Sequence, residues 1–87
     1  MYDPFLPESG LYFRGMVCGA DKNRYFIMTK RFPEETMGYL AKIFPMRDDG
    51  PDLKTPLMTS RPAYTKDDAL QRHFYLMHEA SKGLYFN

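Results

Sequence analysis

The sequence predicts an α+β fold, a small antiparallel sheet packed by two helices, in one domain over residues 1–87. Three observations predict it. Residues 11–30 hold two runs of aromatic and branched residues around GADKN, the pattern of a β-hairpin. Residues 33–44 and 66–82 each carry apolar side chains at helical spacing. Prolines and capping residues stand where each of these helices would start and stop.

The first ten residues, MYDPFLPESG, combine two prolines and a glycine and read as an extended arm. In the hairpin's second run, Tyr25, Ile27 and Thr29 alternate with Phe26, Met28 and Lys30, so both faces are partly apolar. Gly15 interrupts the first run and marks a bulge or a close backbone approach.

The first expected helix begins with Pro33 at its first position, followed by Glu34 and Glu35 where the helix dipole favours negative charge. Met37, Leu40, Ala41 and Phe44 supply an i, i+3, i+4, i+7 stripe, and Pro45 ends it. Gly38 weakens this helix. The second helix opens at Thr65-Lys66-Asp67-Asp68, a capping box with Asp in place of Glu, and closes at Gly83. Its stripe is Leu70, His73, Phe74 and Met77, with Ala69, Leu76 and Ala80 beside it. The expected core is Phe13, Val17, Ile27, Leu40, Phe44, Leu70, Phe74 and Met77.

Between the helices, residues 45–64 hold four prolines and one glycine. They exclude a helix and argue against a central strand, leaving only a short edge strand near 57–60. So long a connection in so small a domain is either functional or disordered. The tetrapeptide GLYF occurs at 10–13 and again at 83–86. Nothing else around the copies is alike, so this is no repeat architecture. Residues 84–86 either repeat strand-forming chemistry by coincidence or add a short third strand, which a lone hairpin would welcome.

Composition narrows the function. Twelve Lys and Arg against eleven Asp and Glu give +1, which argues against a dedicated DNA binder and against an acidic mimic of nucleic acid. The single cysteine, Cys18, cannot form an internal disulfide, and no leader or membrane-length apolar run is visible, so the expected compartment is the cytoplasm. Seven Phe, seven Tyr and seven Met exceed what one small core hides, so some should line a binding surface.

Chemistry is hard to assemble from these residues. Cys18 with His73 or His78 is the sole candidate nucleophile and base, but Cys18 lies in an apolar run typical of structural thiols. His73 and His78 stand five apart, and helical ligand pairs stand three or four apart, so no metal site is expected. Asp48, Asp49 and Asp52 lack the alternating oxygen ligands of a calcium loop. No phosphate-binding glycine loop is present, and no cofactor is expected.

The expectation is therefore a non-enzymatic protein-binding module. Its profile is that of small phage-encoded inhibitors of a larger host protein or nucleoprotein complex, anti-CRISPR proteins among them, although no residues match such a family. The expected contact site is the 45–64 loop together with the adjoining hairpin end. Met46, Leu57, Met58 and Tyr64 would be anchors and Arg47, Asp48, Asp49, Asp52 and Arg61 the polar rim. The alternative is a nucleic-acid accessory protein whose hairpin stacks bases on aromatics and meets phosphates through Lys22, Arg24 and Arg31.

Overall fold

The aromatic hairpin forms where its sequence places it. In the computed structural model of the protein, which describes residues 13–32 and 34–84, β1 (Phe13–Cys18) pairs antiparallel with β2 (Arg24–Arg31). The register runs from Phe13↔Thr29 to Cys18↔Arg24. The turn closes through Gly19 N donating to Asn23 O (2.8 Å) and Lys22 N donating to Gly19 O (3.0 Å). Lys22 takes the left-handed conformation, with φ 68°.

The stretch expected to form the first helix is instead a turn over 34–38 followed by a strand from Tyr39. β3 (Tyr39–Arg47) lies antiparallel beside β2, from Tyr25↔Pro45 to Arg31↔Tyr39. The fold is therefore a five-stranded antiparallel sheet with one helix among the described residues, and the two-helix arrangement is wrong. The physical reason is burial on both sides. Ala41 and Ile43 face the helix, Leu40, Lys42 and Phe44 face away from it, and all five are buried. A strand covered on both faces shows no polar–apolar alternation. Its apolar residues then match helical spacing by accident, and Met37, the supposed start of the stripe, is 88% exposed.

Pro45 does not end β3. The carbonyls of Tyr39, Ala41, Ile43 and Pro45 accept from Ala63, Ser60, Leu57 and Asp52 N–H groups. These odd-numbered residues direct their backbone groups toward the later chain, away from β2. Because a residue's N–H and C=O leave a strand on the same side, the donor Pro45 lacks is missing from that far edge. The β2–β3 ladder is untouched.

Residues 45–64 are thus largely a return path along β3. β4 (Gly50–Pro51) pairs with Met46 and Arg47. β5 (Met58–Thr59) pairs with Lys42 and Ile43, and Ala63 bridges Tyr39 through two bonds of 2.9 and 2.7 Å. The short edge strand left open near 57–60 is the one that forms.

The helix α1 (Lys66–Lys82) occupies the predicted span. Thr65 Oγ1 accepts from Asp68 N (3.1 Å), and Gly83, at φ 91°, donates to Ala80 O (3.0 Å). A left-handed φ suits glycine there. α1 lies across one sheet face with Ala69, His73, Leu76 and Ala80 inward: Leu76 and Ala80 meet Tyr25, Ile27, Ala41 and Ile43, Ala69 packs on Ala63, and His73 meets Thr29. Leu70 and Met77 are half-buried flanks of that stripe. Phe74, expected in the core, is 57% exposed. The helix is rotated so that small residues face the sheet, which brings the backbones close.

Its C-terminal end is tied to the first turn. Ala20 N donates to Ser81 O (2.9 Å), and the buried Tyr25 hydroxyl donates to Asp21 and accepts from Leu84 N (2.9 Å). On the opposite sheet face the Lys42 ammonium pairs with Glu35 and lies 4.2 Å from the Phe32 ring centroid. The expected arm at 1–10, the strand start at Leu11 and Tyr12, Pro33 as helix start and residues 85–86 of a third strand lie outside the described residues.

Core and surface should separate under mutation. Ile43→Ala should cost about 2–5 kcal/mol, since a fully buried branched side chain leaves a cavity. Phe74→Ala should stay within about 0.5 kcal/mol, as expected of an exposed position. Urea denaturation distinguishes the two, and equal losses would show that Phe74 is packed.

Candidate functional site

Rotation of α1 toward its small residues leaves large ones outside. Gln71, Tyr75 and His78, spaced i, i+4, i+7, form one exposed ridge of the helix. Phe74 stands next to it, its ring 5.9 Å from the His73 ring. Phe74 and Tyr75 are 57% and 59% exposed and adjacent in sequence. The other exposed large apolar residues among those described, Met16, Met37, Leu53 and Tyr64, are scattered over separate loops and strands. Single exposed apolar residues are ordinary, whereas a contiguous apolar patch marks a site.

That pair borders an open groove between α1 and the edge segment 58–61. Its volume is about 860 Å³, and its apolar lining comes from Met58, Leu76, Phe74 and Tyr75. The polar lining includes Arg61, Arg72 and His78, and among the described residues no carboxylate contributes. Arg72 bridges the two walls: its Nε donates to Arg61 O (3.2 Å) and its Nη2 to Pro62 O (3.3 Å).

Of the residues expected at the contact site, Met58 and Arg61 line this groove. The others do not. Arg47, Asp48, Asp49 and Asp52 gather at the β3–β4 turn, where Arg47 Nη2 lies 3.5 Å from Asp52 Oδ2 and Gly50 takes φ 125°. Asp52 further anchors its own loop, accepting from Lys54 N (3.1 Å). Tyr64 packs over Gly38, where a Cβ would come within 2.8 Å of its ring. Since Ala63 pairs with Tyr39, this is the opposite end of β3 from Arg47, roughly 25 Å away at strand rise.

The basic residues of the hairpin also separate. Lys22 lies in the β1–β2 turn and Arg24 at the start of β2, while Arg31, at its other end, stacks 5.1 Å from the Tyr39 ring centroid. They are roughly 24 Å apart along the strand. The sequence reading missed Arg72 and Tyr75 and assigned Phe74 to the core. A cleaner stripe was available in Ala69, His73, Leu76 and Ala80, and it places all three on the helix's outer side or flank.

Cys18 and the histidines are not assembled into a site. Strand alternation turns Cys18 to the face away from α1, while Val17 packs against the core. His78 is exposed beside the groove. His73 is buried, with Nδ1 2.7 Å from Thr29 Oγ1 and its ring 5.6 Å from that of Phe13. Burial lowers its pKa, because the imidazolium would lose water without gaining a counter-charge. Comparison with protein-family models, with curated proteins and with solved structures found no match.

His73 makes stability pH-dependent. Its folded pKa lies below its unfolded value of 6.5, so the unfolded chain takes up a proton first as pH falls. Its contribution is fully present above about pH 6.5 and is lost as pH falls through the lower folded pKa. Urea denaturation at several pH values should show this loss, and His73→Gln, which keeps a hydrogen-bonding side chain toward Thr29, should flatten it. Parallel pH profiles for the two proteins would contradict the assignment.

Proposed function

We propose that the protein is a non-enzymatic protein-binding module whose contact face is the groove between α1 and β5. The adjacent exposure of Phe74 and Tyr75 beside a groove floored by Met58 and Leu76 carries this reading. Aromatic and Arg anchors dominate binding energy in protein interfaces, and both kinds meet here. The groove is formed by the packing of α1 against the sheet edge, so the bound shape exists before a partner arrives and less ordering entropy is lost on association. Inhibition of a larger host protein or nucleoprotein complex in the cytoplasm is the role we assign to such a module.

The nucleic-acid reading of the hairpin is less well supported, because Lys22 and Arg24 are far from Arg31 and Arg31 already lies against Tyr39. Among the described residues no helix is long and apolar enough to cross a membrane.

Affinity capture from cells of the native host tests the groove. The tagged wild-type chain should retain a stoichiometric protein partner that is lost with Phe74→Ser/Tyr75→Ser and kept with Met16→Ser on the other sheet face. Retention by the aromatic double variant would place the contact elsewhere.

A further inference from the structure

We infer that the groove receives an acidic segment of a partner protein, with carboxylates at Arg61 and Arg72 and an apolar side chain against Phe74 and Tyr75; this rests on the groove being the contact face. Charge is the first ground. Among the described residues the lining holds two guanidinium groups and an imidazole but no carboxylate. Neither Arg61 nor Arg72 has an acidic partner among the described residues, whereas Lys42, Arg47 and Lys82 each have one.

Preorganisation is the second ground. Arg72 spends two of its five N–H donors on the carbonyls of Arg61 and Pro62, which hold the guanidinium plane in place. Three donors remain, in a fixed fork that suits a carboxylate's two oxygens. A half-buried arginine tethered in this way loses less side-chain entropy on pairing than a free one.

The same bonds define how the partner is held. Pro62 has no N–H to offer, and the carbonyls of Arg61 and Pro62 are occupied by Arg72. A partner strand therefore cannot extend the sheet at this part of the edge, and recognition falls to side chains. The polyanionic backbone of a nucleic acid fits less well than a short acidic peptide. Binding it draws on many cations, and here only two permanent ones accompany four apolar lining residues.

Panning a phage-displayed random 12-residue peptide library on the full chain tests the inference. Peptides enriched on the wild type should combine Asp or Glu with a large apolar residue. Their binding should weaken about fivefold for Arg61→Gln, which leaves the Arg72 tether intact, and further for Arg61→Gln/Arg72→Gln. Thermal melting of each variant confirms that it is folded. Enriched peptides that bind the arginine variants unchanged but lose Phe74→Ser/Tyr75→Ser would overturn the acidic class and leave the groove reading standing. Absence of enrichment, or peptides indifferent to both sets, would overturn both. Retention of the chain on immobilised single-stranded DNA, lost in the arginine variants while peptide binding is unaffected, would assign the arginines to nucleic acid.

Discussion

Backbone pairing along both edges of β3 is the constraint on which the rest of the structure depends. Leu40 through Phe44 are buried on both faces, so water cannot satisfy their N–H and C=O groups. The even-numbered side of the strand is served by β2. The odd-numbered side needs a second partner, and the chain supplies it by folding residues 57–63 back along Tyr39, Ala41 and Ile43. The Pro-rich stretch is ordered because β3 requires it. Its prolines fall where no ladder donor is needed, and they leave the outer edge poor in N–H groups that could recruit another chain.

From that edge the groove follows. α1 must cross Ala41 and Ile43 to bury them, and it approaches closely because Ala69 and Ala80 are small. The edge segment 58–61 then stands beside the helix, and Arg72 spans the gap to its carbonyls. Turning the alanines inward turns Phe74 and Tyr75 outward. Core packing and exposed aromatic patch are two consequences of one helix rotation, so changes that loosen the β3 edge should also disturb the groove.

Much of this was legible in the sequence where one face of an element is wet. The hairpin's runs and its GADKN turn located β1 and β2, and Thr65 and Gly83 bounded α1, because caps and turns are local chemistry. β3 was not legible. Burial on both sides erased its alternation, Leu40, Ala41 and Phe44 mimicked a helical stripe, and Pro45 read as a stop although its missing donor faces the edge. The site suffered a related error. Met58 and Arg61, read as part of a Pro-rich contact loop, line the groove, but Arg47–Asp52 and Tyr64 lie at opposite ends of β3, a separation only the topology reveals.

Hydrogen exchange of individual backbone amides tests the role of β3 most directly. If residues 57–63 complete the sheet, the amides of Leu57, Ser60 and Ala63, which donate to Ile43, Ala41 and Tyr39, should be protected, with that of Tyr39 among them. Exchange of Leu57, Ser60 and Ala63 at the rate of a solvated loop would contradict it. The groove would then lack its second wall.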